Sequence, residues 1–469
     1  MRIIISIISL TLLFILFNKK TFAQPGAIDP SFTPENGPNG LINDIAVQSD
    51  GKIIIVGSFT TYNGVSRNKI ARLNSDGSLD NSFNPGSGTD YSIYKVAIQS
   101  DGKILIGGYF NTYNGSPKNY LARLNSNGSI DNSFNPGQGP NEYVFYIVEL
   151  NGGKILIGGT FTTYNGVSRN RIARLNSNGS LDSSFDPGSG ANPAAVNSIA
   201  IQNDGKIIIG GGFTTFSGII RKRVARLNIN GSVDISFDPG QGANDGISSV
   251  AIDQNGKILV AGGIDSVAGV SRNGIARLNT DGSLDASFDP GTGFDSYIAE
   301  IVLALDGKIL VGGNYTNFNG VSRNGIARLN PDGSLDTSFD PGTGVDNFIY
   351  AVAIQPNSRI LYGGLFTKYN GISRNRIVRI FADNTTGVHN FQHNSGPLIF
   401  PNPNIGIIKI NTPSNKGKLE IWTIDGRRVC ALEIQEVYTE INLEAFNPGL
   451  YILKYYTPEQ IYVGRFISK

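Results

Sequence analysis

A unit of about fifty residues recurs seven times between residues 24 and 381, and this repeat limits the fold more than any other feature of the chain. A Gly-Lys pair marks the unit at residues 51, 102, 153, 205, 256 and 307, and Ser358-Arg359 takes the seventh place. Successive pairs are therefore 51 or 52 residues apart. Such a constant period indicates an array of supersecondary units, each of which buries its apolar surface against the next.

Each unit contains short apolar or alternating segments separated by glycine-containing turns. This pattern predicts four antiparallel β-strands and no helix. In the second unit the predicted strands are residues 96–99, 103–110, 120–125 and 129–134. The first two are almost entirely apolar, which is typical of strands that are buried on both faces. We therefore expect them to be the inner strands.

The turn between the third and fourth predicted strands fixes their register. At residues 74–78, a type I turn followed by a left-handed glycine keeps apolar and charged side chains on opposite faces. We expect the resulting Arg–Asp pairs to be partly exposed, to contribute about 0.2–1 kcal/mol each, and to fix register rather than to form a site. The pairs are Arg72 and Asp80, Arg123 and Asp131, Arg174 and Asp182, Arg226 and Asp234, Arg277 and Asp285, and Arg328 and Asp336.

The two ends of the repeat array are incomplete in complementary ways. Residues 28–34 match a fourth-strand segment that has no preceding strands, and the seventh unit stops after its third strand. If the first segment completes the last unit, Asp29 faces Arg379 and the array closes without an orphan edge. The sequence therefore predicts an all-β fold in which residues 24–381 form a seven-bladed β-propeller closed by the N-terminal strand. An open superhelix would leave the match of the two ends unexplained.

The units resemble the delta-60 type of β-propeller repeat in their GKILIGG, SRN, ARLN and LDxSFDPG segments. The resemblance extends over about three quarters of the chain and recurs in all seven units. It implies the propeller fold. It says little about activity, because propellers serve in binding, in scaffolding and in catalysis.

Residues 1–23 have the features of a signal peptide. An apolar run at residues 3–17 follows Arg2, and residues 21–23 offer a cleavage site with small residues at the two critical positions. The apolar run is short for a transmembrane helix. Two lysines before the cleavage site also allow a cut at Ala27. The leader predicts export across the inner membrane.

Residues 382–398 are predicted to be a linker, and residues 399–469 a small β-sandwich domain. This last segment resembles the C-terminal sorting domain (Por type A) of the type IX secretion system of Gram-negative bacteria. The resemblance implies recognition by the type IX machinery and a place outside the cell or on its outer surface. A carbohydrate-binding or immunoglobulin-like appendage is the alternative. The residues that carry the resemblance are Pro401, Asn402, Pro403, Gly426, Gly449 and Tyr451.

Composition argues against several other classes of protein. Lys and Arg number 39 against 37 Asp and Glu, and loss of the three basic leader residues changes the formal charge from +2 to −1. Without a basic stripe, no nucleic-acid partner is expected. The only histidines, His389 and His393, lie in the predicted linker, and the only cysteine is Cys430, so no Ser-His-Asp or Cys-His triad can form in the propeller. We predict no catalytic residue, metal or cofactor, and expect a monomer.

The loops from the fourth strand of one unit to the first strand of the next are predicted to form the ligand face. Each carries an Asn or Asp at a fixed place, and we interpret this ring as turn caps. Residues that differ between copies are the stronger signal, and here they are acidic and aromatic types suited to sugars or cationic peptides. The candidate ligand-binding residues are Tyr91, Glu142, Tyr143, Asp245, Asp295, Tyr297 and Glu300, and the same comparison adds Phe348.

These features predict a secreted or cell-surface propeller that acts as a non-catalytic binding module for a glycan or peptide. One alternative is an extracellular enzyme for such substrates, with Glu142, Asp245, Asp295 or Glu300 as acid and base. The similarity of the blades argues against it, because catalysis needs unlike groups in defined places. A purely structural surface protein is the second alternative.

Overall fold

The computed structural model describes residues 22–383, 385–386, 398–400, 407–411, 417–423, 427–434, 438–442, 446–447, 449–456 and 461–468. The chain divides into two compact units, Met1–Thr386 and Gly387–Lys469. The described residues form β-strands and turns, and none of them forms a helix long and apolar enough to cross a membrane. Residues 1–21 of the predicted leader and residues 387–397 of the predicted linker lie outside the described residues.

Seven three-stranded antiparallel sheets, or blades, make up the first unit, and each corresponds to one sequence repeat. The first strands are Ile42–Val47, Ile93–Ile98, Val144–Glu149, Val196–Ile201, Ile247–Ile252, Ile298–Leu303 and Ile349–Ile354. The second strands are Ile53–Gly57, Ile104–Gly108, Ile155–Gly159, Ile207–Gly211, Ile258–Gly262, Ile309–Gly313 and Arg359–Gly364. The third strands are Ile70–Leu73, Leu121–Leu124, Ile172–Leu175, Val224–Leu227, Ile275–Leu278, Ile326–Leu329 and Ile377–Phe381.

A short hairpin lies between the second and third strands of every blade. In the first blade it pairs Thr61–Tyr62 with Val65–Ser66. The other hairpins are Thr112–Tyr113 with Ser116–Pro117, Thr163–Tyr164 with Val167–Ser168, Thr215–Phe216 with Ile219–Ile220, Ser266–Val267 with Val270–Ser271, Asn317–Phe318 with Val321–Ser322, and Lys368–Tyr369 with Ile372–Ser373. Two further pairings use Ala191–Asn192 against Thr215–Phe216 and Phe22–Ala23 against Thr385–Thr386.

The predicted fourth strand is reduced to a single bridge in each blade, so the prediction of a full strand is wrong. In the first blade Leu73 bridges Leu79, and the chain then turns. The turn follows from Asp80, because its Oδ1 accepts hydrogen bonds from the amide (2.9 Å) and the hydroxyl (2.7 Å) of Ser82. This local Asx turn competes with continued strand pairing.

The N-terminal segment closes the ring, as predicted. Ile28 bridges Ile380 of the seventh blade, and the amide of Asp29 donates to the carbonyl of Arg379 (2.9 Å). One buried cluster combines residues of the first and seventh blades, among them Ile42, Ile55 and Leu361. The seven-bladed β-propeller closed by residues near the N-terminus is thereby confirmed.

The core consists of seven equivalent apolar clusters, each between two neighbouring blades. The last glycine of each second strand lies where a side chain has no room. A Cβ at Gly159 would stand 1.9 Å from the carbonyl oxygen of Tyr143. This close approach is tied to a β-bulge near the start of each first strand, where the register shifts by one residue, for example between Val144 and Tyr146.

Each repeated Arg–Asp pair is part of a larger clamp. In the fourth blade the carboxylate of Asp234 accepts from Arg226 Nε (2.7 Å) and from Lys206 Nζ (2.8 Å), so the lysine of the Gly-Lys pair has a structural role. The arginine also donates to the carbonyl of Thr280 in the next blade and stacks on Phe237, with its Cζ 5.0 Å from the ring centre.

The aspartates of these clamps are buried, which corrects the expectation of partly exposed pairs. The next blade covers each clamp, and this cover cannot be seen in the hairpin sequence alone. The seven aspartates are Asp29, Asp80, Asp131, Asp182, Asp234, Asp285 and Asp336.

The described residues of the second unit form two antiparallel sheets. One has the order Leu398–Phe400, Ile407–Asn411, Tyr438–Asn442, and the other the order Arg428–Ile434, Gly417–Thr423, Gly449–Tyr456, Ile461–Ser468. A shared core joins Ile441 of the first sheet to Leu419 and Leu453 of the second, as in a sandwich. Of the predicted sorting residues, Gly449 and Tyr451 lie in a described strand. Pro401, Asn402, Pro403 and Gly426 lie outside the described residues.

Candidate functional site

The seven first strands surround a cavity of about 340 Å³ on the axis of the propeller. The bulge near the start of each strand turns its second and third residues toward this axial cavity. The residues at the second position of the first strands that line the cavity are Asn43, Tyr94, Phe145, Asn197, Ser248, Ala299 and Tyr350. Those at the third position that line it are Asp44, Lys95, Tyr146, Ser198, Ser249 and Glu300.

Polar side chains at the second position connect neighbouring blades. Asn43 Nδ2 donates to the carbonyl of Ile93 (2.8 Å), and Asn197 Nδ2 donates to that of Ile247 (2.9 Å). Ser248 Oγ makes the equivalent bond to Ile298 (2.6 Å). These hydrogen bonds hold the amide and hydroxyl groups in fixed orientations.

Polar side chains at the third position bind backbone amides of the next blade. The amide of Val96 donates to Asp44 Oδ2 (2.8 Å), and the amide of Val352 donates to Glu300 Oε2 (2.6 Å). Ser198 and Ser249 accept in the same way from Val250 (3.1 Å) and Ile301 (3.2 Å). Four of the seven blade interfaces therefore carry this contact at the axis.

Three charged groups meet in the axial cavity. Lys95 Nζ lies 3.0 Å from Asp44 Oδ1 and 3.6 Å from Glu300 Oε1, and 5.0 Å from the centre of the Tyr146 ring. Burial alone would lower the pKa of Lys95, but the two carboxylates raise it above its ordinary value, so the ammonium stays charged. Burial raises the pKa of Glu300 to about 7 although Lys95 opposes the shift.

A cluster of six aromatic rings, the aromatic platform, covers the second and third blades at the mouth of this cavity. Tyr91 stacks on Tyr109 with 4.9 Å between ring centres, and Tyr109 lies 4.6 Å from Tyr143. Tyr94 and Phe145 continue the cluster at 5.6 Å from each other. The platform comprises Tyr91, Tyr94, Tyr109, Tyr120, Tyr143 and Phe145.

The platform is open to solvent on one side and reaches the axial cavity on the other. Tyr91 is 50% exposed, whereas Tyr94 and Phe145 line the cavity. Burial raises the pKa of Tyr120, and the negative charge of exposed Glu142 adds to this shift. Three of the sequence-predicted residues, Tyr91, Glu142 and Tyr143, therefore belong to one surface.

Asp295 is a turn cap, as interpreted for the ring of Asn and Asp residues, and its role in ligand binding stays a prediction. Its Oδ1 accepts from the amides of Thr316 (2.9 Å) and Asn317 (3.1 Å), and its Oδ2 accepts from the side chains of the same two residues. These hydrogen bonds outweigh burial and lower its pKa to about 2. Asn39, Asp90, Asn141, Asn244 and Asp346 bind the corresponding amides in their own blades. The carboxylate of Asp295 is thus engaged as a turn cap.

The remaining predicted residues lie apart from the platform. Asp245 and Tyr297 are exposed, and both approach within 4 Å of the place where a Cβ at Gly263 would stand. Phe348 stacks on Tyr350 of the seventh blade, with 6.0 Å between ring centres. Glu300, which was predicted as part of the loop face, lies instead on a first strand in the axial cavity.

Sequence reasoning missed the residues that line the axis, above all Asp44, Tyr94, Lys95 and Tyr146. The available signal was the one used for the loops, since the second and third positions of the first strand change from copy to copy while the first and fourth positions stay aliphatic. It was overlooked because the first strand of the second blade begins at Ile93, three residues before its predicted start. Among the described residues, no group of three or more His, Cys, Asp or Glu side chains could hold a metal ion.

Family comparisons agree with this architecture. The model of the family described as a domain of unknown function (DUF5122) beta-propeller matches residues 48–83, 99–134, 153–185, 202–237, 254–288, 305–339 and 355–385. The model of the secretion system C-terminal sorting domain matches residues 398–469. The chain belongs to the DUF5122 β-propeller family and carries a Por-type sorting domain. It is therefore a propeller that the type IX system exports to the cell surface or the extracellular space.

Several solved structures are similar in fold at low sequence identity. PorZ of Porphyromonas gingivalis, a surface component of the type-IX secretion system, is 15% identical over 93% of this chain and 60% of its own, with a TM-score of 0.43. The extracellular domain of BT4673 from B. thetaiotaomicron is 12% identical over 95% of this chain and 60% of its own, with a TM-score of 0.46. Virginiamycin B lyase from Staphylococcus aureus is 14% identical over 74% of this chain and 97% of its own, with a TM-score of 0.44.

This chain thus spans about 60% of the length of the first two structures. No curated protein matches it.

Proposed function

We propose that the exported propeller is a non-catalytic module that binds an extracellular ligand on its aromatic platform. The platform itself is the observation that carries this proposal. The first blade has Gly40, Ser58 and Lys69 where the second has Tyr91, Tyr109 and Tyr120, yet both form the same strands. The fold does not need the rings, and partly exposed aromatic clusters beside a cavity are typical of interaction sites.

The acids of the site support a non-catalytic role. Asp295 is engaged as a turn cap, and Asp44 and Glu300 each accept a backbone amide of the next blade and contact Lys95. A glycoside hydrolase typically needs two carboxylates that flank the scissile bond. Glu142 and Asp245 are exposed acids without such structural ties, but they lie on the loops of different blades.

A binding screen with a hydrolysis readout tests the proposal. The purified chain is applied to immobilised glycans and peptides, and both retention and ligand consumption are measured. We expect saturable retention of intact ligand, lost in Tyr91→Ala and kept in Ile235→Ala, which removes a 78% exposed apolar side chain of the fourth blade, outside the platform. Consumption of ligand that stops on Glu142→Gln or Asp245→Asn would establish an enzyme instead. The absence of any retention would leave a structural surface role.

A further inference from the structure

We propose that the ligand is a neutral glycan chain that binds end-on, with its terminal sugar in the axial cavity and its next sugars on the aromatic platform. The inference rests on the proposed function above. It adds the chemical class of the ligand and its direction of entry.

The platform and the axial cavity form one continuous surface. Tyr94 lies 6.5 Å from Tyr143 and 5.6 Å from Phe145, measured between ring centres, and both Tyr94 and Phe145 line the cavity. The rings therefore lead from the exposed Tyr91 to the axis. A volume of about 340 Å³ lies at the small end of ligand pockets, so it suits a chain end rather than the middle of a polymer.

The cavity offers hydrogen-bond acceptors in fixed orientations beside aromatic walls. Asn43 and Asn197 donate their Nδ2 groups to the next blade, and among the described residues neither amide oxygen accepts a hydrogen bond. Each oxygen is thus available to a ligand hydroxyl. Tyr94, Phe145 and Tyr350 supply the faces on which the C–H side of a sugar ring can pack.

The charges of the cavity favour a neutral ligand. Lys95 is its only lysine or arginine, and both Asp44 and Glu300 lie against the ammonium. No cation remains to pair with a carboxylate, sulfate or phosphate of an acidic glycan. Glu142 beside the platform adds repulsion toward such chains.

The axial strands offer little to a peptide backbone. A peptide that adds to a sheet edge needs free amide and carbonyl groups. Along the axis these groups are already occupied by side chains, since Asn43 binds the carbonyl of Ile93 and Asp44 the amide of Val96. The amides of Val250, Ile301 and Val352 are occupied in the same way.

The test compares chains that differ only at their ends. The probes are the peptides of the screen above and an array of neutral, uronic-acid-containing and sulfated oligosaccharides, with each neutral chain in an open form and in a form whose non-reducing end carries a bulky cap. Ala299→Phe fills the cavity with a side chain that the third blade already carries at the equivalent position, as Phe145. Ala299→Ser is the matched control, since the fifth blade carries Ser248 at that position.

We expect the wild-type chain to bind open neutral chains and to bind capped or acidic ones at least about tenfold more weakly. Ala299→Phe should weaken binding by about tenfold or more, and Ala299→Ser by about twofold or less. Thermal melting checks that both variants fold. The comparison of open with capped chains needs no variant, so a misfolded Ala299→Phe does not prevent the test.

Equal binding of capped and open chains would overturn the end-on arrangement while the platform remained the binding surface. A preference for acidic chains or for peptides would overturn the ligand class but not the proposed binding function. No binding of any probe would overturn both the proposed ligand class and the proposed binding function.

Discussion

At the residue scale, the charges of the propeller serve mainly to join blades. Asp234 illustrates this, since it binds Arg226 and Lys206 while the arginine reaches Thr280 of the next blade. The sequence predicted the pairing of Arg and Asp but not its burial or the lysine. Pairing follows from hairpin register, which is local, whereas burial depends on a neighbouring blade some fifty residues away along the chain.

Replacing Asp234 with Asn should lower the free energy of unfolding by about 3–5 kcal/mol, because it leaves Arg226 as a buried cation without its carboxylate. Denaturant titration measures the change. Asp204→Asn in the same blade is the control, since Asp204 accepts the amide of Lys206 (3.1 Å) and Asn357 accepts the equivalent amide in the seventh blade. We expect a change within about 0.5 kcal/mol for the control. Similar losses for both variants would contradict the role of the clamp.

Glu300 should make the protein less stable as pH rises. Its pKa is raised from 4.5 to about 7, so the folded state binds more protons than the unfolded state between these values. Stability is therefore lost as pH increases through this range. The groups that face Glu300 are Lys95, Asp44 and Tyr146, of which Lys95 stays protonated throughout.

The variant Glu300→Gln keeps an acceptor for the amide of Val352 and removes the ionisation. We compare the free energy of unfolding of this variant with that of wild type at each pH. We expect the difference to favour the variant by roughly 1–3 kcal/mol more at pH 8 than at pH 5. Melting curves at both pH values give this difference, with the exposed Glu142→Gln as control. An equal effect of Glu300→Gln at the two pH values would show that Glu300 does not titrate in this window.

At the scale of the element, the bulge in each first strand creates the site. It turns two successive residues toward the axis and requires a glycine at the end of the second strand. Periodicity predicted the aliphatic parts of these strands. It could not predict the polar and aromatic residues at their start, because a bulge breaks the alternation on which periodicity depends. The length of the fourth strand was overestimated for a related reason. Its Asx turn ends the pairing with the third strand after one bridge.

Gly159→Ala should destabilise the third blade by more than about 2 kcal/mol, because the new methyl group meets the carbonyl of Tyr143 at 1.9 Å. It should also shift Tyr143 and weaken ligand binding. Gly158→Ala is the matched control, because its Cβ would stand 2.9 Å from a methyl carbon of Val196 and 3.2 Å from the carbonyl oxygen of that residue, and the fifth blade already carries Ala261 at that position. We expect it to lose less stability than Gly159→Ala. Thermal melting measures the loss of stability, and near-ultraviolet circular dichroism reports the shift of Tyr143. A tolerant Gly159 together with a sensitive Gly158 would contradict this account of the bulge.

At the scale of the whole molecule, the sequence predicted the architecture more completely than it predicted the site. The period, the complementary ends and the sorting motifs predicted a closed seven-bladed propeller with a separate exported tail, and the structure and the family comparisons confirm both. What the sequence could not predict is the convergence of three charges from the first, second and sixth blades, since only ring closure brings Asp44, Lys95 and Glu300 together.

Removing residues 398–469 should leave the propeller in the periplasm, because these residues match the sorting domain that the type IX machinery recognises. Cell fractionation and immunoblotting locate the chain. Full-length Tyr91→Ala, which alters only the platform, should still reach the surface or the medium. Export of the truncated chain at the wild-type level would contradict the role of the tail.

The most direct test of the binding role replaces the platform with the residues of the first blade. The variant Tyr91→Gly, Tyr109→Ser and Tyr120→Lys carries side chains that the fold already accommodates at the equivalent positions. Calorimetric titration with the best ligand from the screen then compares this variant with wild type and with Ile235→Ala. We predict an unchanged melting temperature and a loss of affinity of about a hundredfold in the platform variant alone. Wild-type affinity in the folded platform variant would show that the ligand binds elsewhere.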